Sequence, residues 1–325
     1  MNKRTTGSIT LAIIVTLMTG CSTSEGSNSV KTSGSGPEPA AQKSSAVDRT
    51  NWPPATPRNG LAKGLSLPLE EYMQTYQDTV ALADAAHRLQ ADCMADYGFT
   101  VTLPPAGTTP PPNDNDANIE RRYGITDHIT AGKYGYGLPE ELQHQQRLQM
   151  PKMSQDEIEV FTGFSSLNPG EPNRSPAPSI YKGKHIPKNG CAGLAEEQIG
   201  AKDLDFFLVS ELDGRSLTQS QETPEVQKAI ADWSQCMNTK GYAVDTPYHA
   251  NDLITHVDGA VSDEEIDVAL ADIDCKDATN LVKIWFDTET RIQNQQIIDN
   301  RSELTQAKER NSDALIAATK IVDSE

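Results

Sequence analysis

Past Met18 the 325-residue sequence has no apolar run long enough to cross a membrane, and positive charge is scarce. Twenty-eight Lys and Arg stand against 46 Asp and Glu, a formal net charge of −18. So acidic a chain repels phosphate backbones and anionic headgroups, and nucleic acid is not expected as a partner. Catalytic templates are missing as well. There is no G-x-S-x-G elbow, and Tyr134-Gly135-Tyr136-Gly137 lacks the third glycine of a dinucleotide cradle. Ser179-Ile180-Tyr181-Lys182 fits S-x-x-K without the companion S-D-N and K-T-G elements. Asp114-x-Asp116-x-Asn118 opens like a calcium loop, then has Ile119 where Gly is needed and Ile125 where the bidentate Glu belongs. His249, Asp252, His256 and Asp258 are zinc-type ligands, but their spacing is not H-E-x-x-H. No metal or organic cofactor is expected.

What is present begins at the first residues. Lys3 and Arg4 precede an apolar stretch, Ile9 to Met18, that is about half the ~20 residues of a spanning helix. Thr19 and Gly20 are the small residues a signal peptidase requires. Leu17-Met18-Thr19-Gly20-Cys21 resembles a bacterial lipobox, whose cysteine takes a diacylglyceryl group and becomes the new N-terminus. The resemblance implies a signal peptide over 1–20 and a lipid bilayer as partner through acylated Cys21, on the extracytoplasmic face of a cell membrane. Acyl chains contribute about 0.8 kcal/mol per buried CH₂, so two or three anchor stably. Residues 21–60 are rich in Ser, Gly, Thr and Pro, with Trp52 the only large apolar side chain. That composition cannot offset chain entropy and predicts a disordered tether.

Four further cysteines remain: Cys93, Cys191, Cys236 and Cys275. An even number in an oxidising compartment suggests two disulfides, with three possible connectivities. The rest reads as mainly α. Leu69, Met73, Tyr76, Val80, Ala83, Ala86, Leu89, Cys93 and Tyr97 follow at helical spacing, and Gly98 stops them. Ser154 with Glu157, and Ser262 with Glu265, spell capping boxes, while Thr223-Pro224 opens a helix lined by Val226, Ile230, Trp233 and Met237. Proline breaks 163–190 into loop. After Ser262 no Gly or Pro occurs, which predicts one or two long C-terminal helices.

One motif occurs twice. Cys93-Met94-Ala95-Asp96-Tyr97-Gly98-Phe99 matches Cys236-Met237-Asn238-Thr239-Lys240-Gly241-Tyr242 as C-M-x-x-x-G-aromatic. Each copy ends a helix and is followed by one more cysteine, which predicts two helix-plus-long-loop halves, 61–200 and 201–325. It also favours Cys93–Cys191 and Cys236–Cys275. These twin segments, with Arg121-Arg122-Tyr123-Gly124, Tyr134-Gly135-Tyr136, Pro187-x-x-Gly190-Cys191 and Asp274-Cys275-Lys276, resemble uncharacterised lipoproteins of actinobacteria. The resemblance spans most of 65–320. It implies compartment and domain extent, and carries no activity with it.

Tyrosines and arginines between glycines give amphipathic contact area, so Arg121, Arg122, Tyr123, Tyr134 and Tyr136 form the candidate ligand surface. The competing reading packs these tyrosines against the fold. The expected function is a membrane-anchored binding or interaction protein of the cell envelope, contacting a protein, peptide or glycan. A hydrolase of cell-wall material or peptides and an envelope scaffold are the alternatives.

Overall fold

The computed structural model describes residues 54–107, 118–139, 151–254 and 261–324. Cys21, most of the tether, Asp114, Asp116, His256 and Asp258 lie outside them. The fold is mainly helical, as the periodicity requires.

Helix α1 (Tyr76–Asp96) begins at Thr75, whose hydroxyl takes the Asp78 amide while the Asp78 carboxylate takes the Thr75 amide. The apolar stripe from Leu69 is therefore not one helix. Pro68–Tyr72 is a 3-10 turn, and Met73 is extended before the cap. Short helices follow in α2 (His128–Tyr134), α3 (Gln155–Thr162) and α4 (Gly190–Ile199). Ser154 and Glu157 make the expected capping box at α3. Between α3 and α4, the stretch read as loop holds a hairpin of β1 (Ile180–Tyr181) and β2 (Lys184–His185). Its turn residues Lys182 and Gly183 both have positive φ, 45° and 82°. That is the backbone a two-residue hairpin turn needs.

Helices α5 (Phe207–Gln221) and α6 (Pro224–Thr239) are joined through Thr223, whose hydroxyl caps α6 as expected. The C-terminal part then differs from the expectation of one or two helices. It forms α7 (Asp263–Ala278), α8 (Leu281–Asp299) and α9 (Arg301–Asp323). Asn280, at φ 53°, ends α7 where no glycine is available, and Asn300 at ψ 21° bends the chain into α9. Asparagine tolerates the left-handed region better than other side chains bearing a Cβ, and this makes the break at Asn280.

Trp233, Trp285, Tyr123, Met237, Val268 and Leu281 form the largest core, between α6, α7 and α8. A smaller one gathers Cys93, Met94, Val160, Phe161, Ile186 and Cys191. Contacts run between the two sequence halves. Helix α1 lies along α9, where Leu82 and Ala85 meet Ala314 and Ala318, and α4 closes that seam with Ile199. Small residues let the two helices approach. The disulfides pair Cys93 with Cys191 and Cys236 with Cys275, each with Cα atoms 5.6 Å apart.

Candidate functional site

The Arg/Tyr/Gly segment is pinned between two buried polar networks. Arg122 reaches inward between α5 and α8. Its Nε lies 3.1 Å from Glu289 Oε2, and its Nη1 donates to Asp213 Oδ2 at 2.9 Å. Its Nη2 donates to Glu289 Oε1 at 2.5 Å and to the Asp213 carbonyl at 3.1 Å. The Glu289 side chain is wholly buried, and it also accepts from Tyr123 and Ser216, each at 2.8 Å. Gln293 extends the network, donating to Asp213 and Ser216 and accepting the Leu69 amide at 2.9 Å. Burial alone would lower the Arg122 pKa. The hydrogen bonds and charges of Glu289 and Asp213 outweigh it and hold the guanidinium above its ordinary range. Tyr123 is pushed up by burial and by the Glu289 carboxylate.

The second network lies across α7. Lys276, fully buried, donates to Asp272 at 3.0 Å and to the Ile125 carbonyl at 2.9 Å. Asp272 also accepts from the Trp233 indole at 2.9 Å, with the Tyr136 hydroxyl at 3.5 Å. Burial drives the Asp272 pKa up and the Lys276 pKa down, each opposed by its partner's charge. Gly124 leaves room for this lysine, since a Cβ there would sit 2.6 Å from Nζ. Glu265 departs from its expected capping role. Ser262 takes the Glu265 amide at 3.1 Å, but the Glu265 carboxylate turns inward to accept the Tyr136 amide at 3.0 Å.

Of the candidate ligand surface, Tyr123 is interior, while Arg121, Arg122, Tyr134 and Tyr136 are partly exposed. Tyr123 is fully buried and the Arg122 side chain is 10% exposed, because each is spent on a buried carboxylate. Arg121 straps the end of α2 through the carbonyls of Tyr136 and Gly137, at 2.7 and 2.6 Å. Tyr136 is half-buried against Asp272. Tyr134 stays partly open, with the Lys133 ammonium 4.6 Å from its ring centre. Alternating short and long side chains show the motif in sequence, yet the burial of its arginine required partners more than 90 residues away.

A surface depression lies at the end of α6. An open depression of about 540 Å³ is lined by Ser234, Asn238, Val244, Asp245, His249 and Asp252. His249 Nδ1 is 2.9 Å from Asp245 Oδ1, and that hydrogen bond raises the imidazole pKa and lowers the carboxylate's. Ser234, also in the lining, donates to the Val244 carbonyl. Asp245 was not singled out in the sequence; its place four residues before His249 on one turn is the signal. Asn118, read with the failed calcium loop, bonds to the Pro54 carbonyl and the Glu120 amide. Among the described residues no three His, Cys, Asp or Glu converge as metal ligands, and no helix is long and apolar enough to cross a membrane. Comparison with family models, curated proteins and solved structures finds no match to this chain.

Proposed function

We propose that this chain is a lipid-anchored extracytoplasmic interaction protein, held to its membrane through Cys21 and presenting the Asp245–His249–Asp252 depression to a cationic segment of an envelope partner. The observation that carries this reading is the division of the five cysteines. Four are consumed in two disulfides, which fits an oxidising compartment, and the fifth stands behind Thr19-Gly20 in a lipobox-like setting. The depression supports recognition because it is open and acidic, while the perturbed charges of the interior are satisfied by one another. The reading agrees with the resemblance to actinobacterial lipoproteins.

Mass spectrometry of the mature N-terminal peptide tests the anchor: Cys21 is expected to carry acyl chains, and Cys21→Ala to release the protein from membranes. An unmodified thiol at Cys21 would overturn it. Crosslinking in intact cells tests recognition, with a wild-type adduct expected to disappear in Asp245→Lys/Asp252→Lys.

A further inference from the structure

A basic stretch of this acidic chain is folded into a surface element. From Pro172 to Ala195 the sequence carries Arg174, Lys182, Lys184, His185 and Lys188 and no Asp or Glu. The same stretch contains the β1–β2 hairpin, in which Ile180 faces His185 and Tyr181 faces Lys184. Neighbouring residues of a strand point to opposite faces, so the hairpin has two unlike sides.

One side is bound to the end of α1. The Tyr181 ring lies 5.2 Å from Phe99 and 6.4 Å from Tyr97, the Tyr97 hydroxyl donates to the His185 carbonyl, and Lys184 caps the Asp96 carbonyl. The other side is open. Ile180 is 54% exposed, and His185 and Lys188 are exposed as well; Lys182, exposed at the turn between the two sides, has its ammonium 5.0 Å from the Tyr181 ring centre. An exposed branched apolar side chain among lysines is the composition of an element that lies in a bilayer interface, where the apolar group enters the headgroup layer and ammonium groups meet phosphates. A soluble polyanion would use the lysines and leave Ile180 without a role. The chain as a whole repels anionic headgroups, but charges more than about 8 Å away are largely screened at physiological salt. The acid beside the hairpin is Asp96, on the side bound to α1, where Lys184 holds its carbonyl.

We propose that residues 180–188 are a docking surface for the anionic phospholipid bilayer, with Ile180 entering the headgroup layer and Lys182 and Lys188 contacting lipid phosphates. The inference is independent of acylation at Cys21, because it concerns a contact made by the folded part. It would orient that part on the membrane, with the end of α1 turned toward the lipid.

The test uses the full chain with vesicles of phosphatidylcholine alone or with phosphatidylglycerol added. Lysine acetylation read residue by residue is expected to fall at least threefold at Lys182 and Lys188 with anionic vesicles, while Lys228 and Lys283, exposed on α6 and α8, stay unchanged. Lys182→Glu/Lys188→Glu should weaken cosedimentation about tenfold. Lys228→Glu/Lys283→Glu, which alters net charge equally, should not. Ile180→Ser should weaken it severalfold and leave binding of soluble polyphosphate unaltered. Equal loss in the two charge-reversed variants, unprotected Lys182 and Lys188, or unchanged vesicle binding by Ile180→Ser would each overturn the proposal.

Discussion

The two C-M-x-x-x-G-aromatic helix ends share their backbone and differ in everything around it. At the first, Gly98 donates to Ala95 and Phe99 to Met94; at the second, Gly241 donates to Asn238 and Tyr242 to Met237. Both glycines are left-handed, at φ 83° and 95°, and both methionines are fully buried. These are the paired hydrogen bonds of a Schellman cap, with the aromatic folded back over the last turn. The first end then sits in a small apolar cluster closed by Cys93–Cys191. The second joins the core of Trp233 and Trp285, beside the buried Asp272–Lys276 pair. Local grammar fixes how a helix stops. What it stops against is set by residues distant in sequence.

The disulfides give the sharpest way to separate the two ends. On the chain-entropy model the bridges close loops of 98 and 39 residues, so removing either is expected to cost about 4–5 kcal/mol, with Cys93→Ala/Cys191→Ala the costlier. Urea unfolding of the two double variants checks this. A much larger loss at the second end would show that core position, not loop length, decides.

Charge separates them next. Lys276→Met removes the partner of a buried carboxylate and is expected to cost about 3–5 kcal/mol in the same unfolding measurement. Adding Asp272→Asn should recover much of that loss. If the single variant is as stable as the wild type, the ion pair is not what distinguishes the second end.

The smallest effect tests the likeness. A Cβ at Gly98 or Gly241 meets no neighbour within 4 Å, so alanine there should cost only its left-handed backbone, about 1–2 kcal/mol at each. Thermal unfolding should show matching decreases. Unequal ones would mean that the ends differ even in their local strain.

Much of the helical layout was legible because caps and stripes are short-range. Thr223-Pro224 and Ser154 with Glu157 act as their spelling implies. The twin motif is longer than first read, since Val101 and Pro104 stand in register with Val244 and Pro247. The sequence misleads where tertiary demands override local ones. Glu265 leaves its cap to hold Tyr136, and Asn280 breaks a run without glycine or proline. Arg122 and Tyr123 resembled a contact surface because nothing nearby in sequence announces Glu289, which takes both. The His249 depression was half visible, through His249 and Asp252, and lacked only its tighter partner Asp245.

The seam between α1 and α9 has a consequence for assembly. Arg88 donates to the Val322 carbonyl across 234 residues, so part of the apolar face of α1 stays uncovered until α9, made more than 200 residues later, arrives. Contacts so far apart along a chain form slowly. Until α9 closes over it, the apolar face of α1 around Leu82 and Ala85 stays open to water and to other chains.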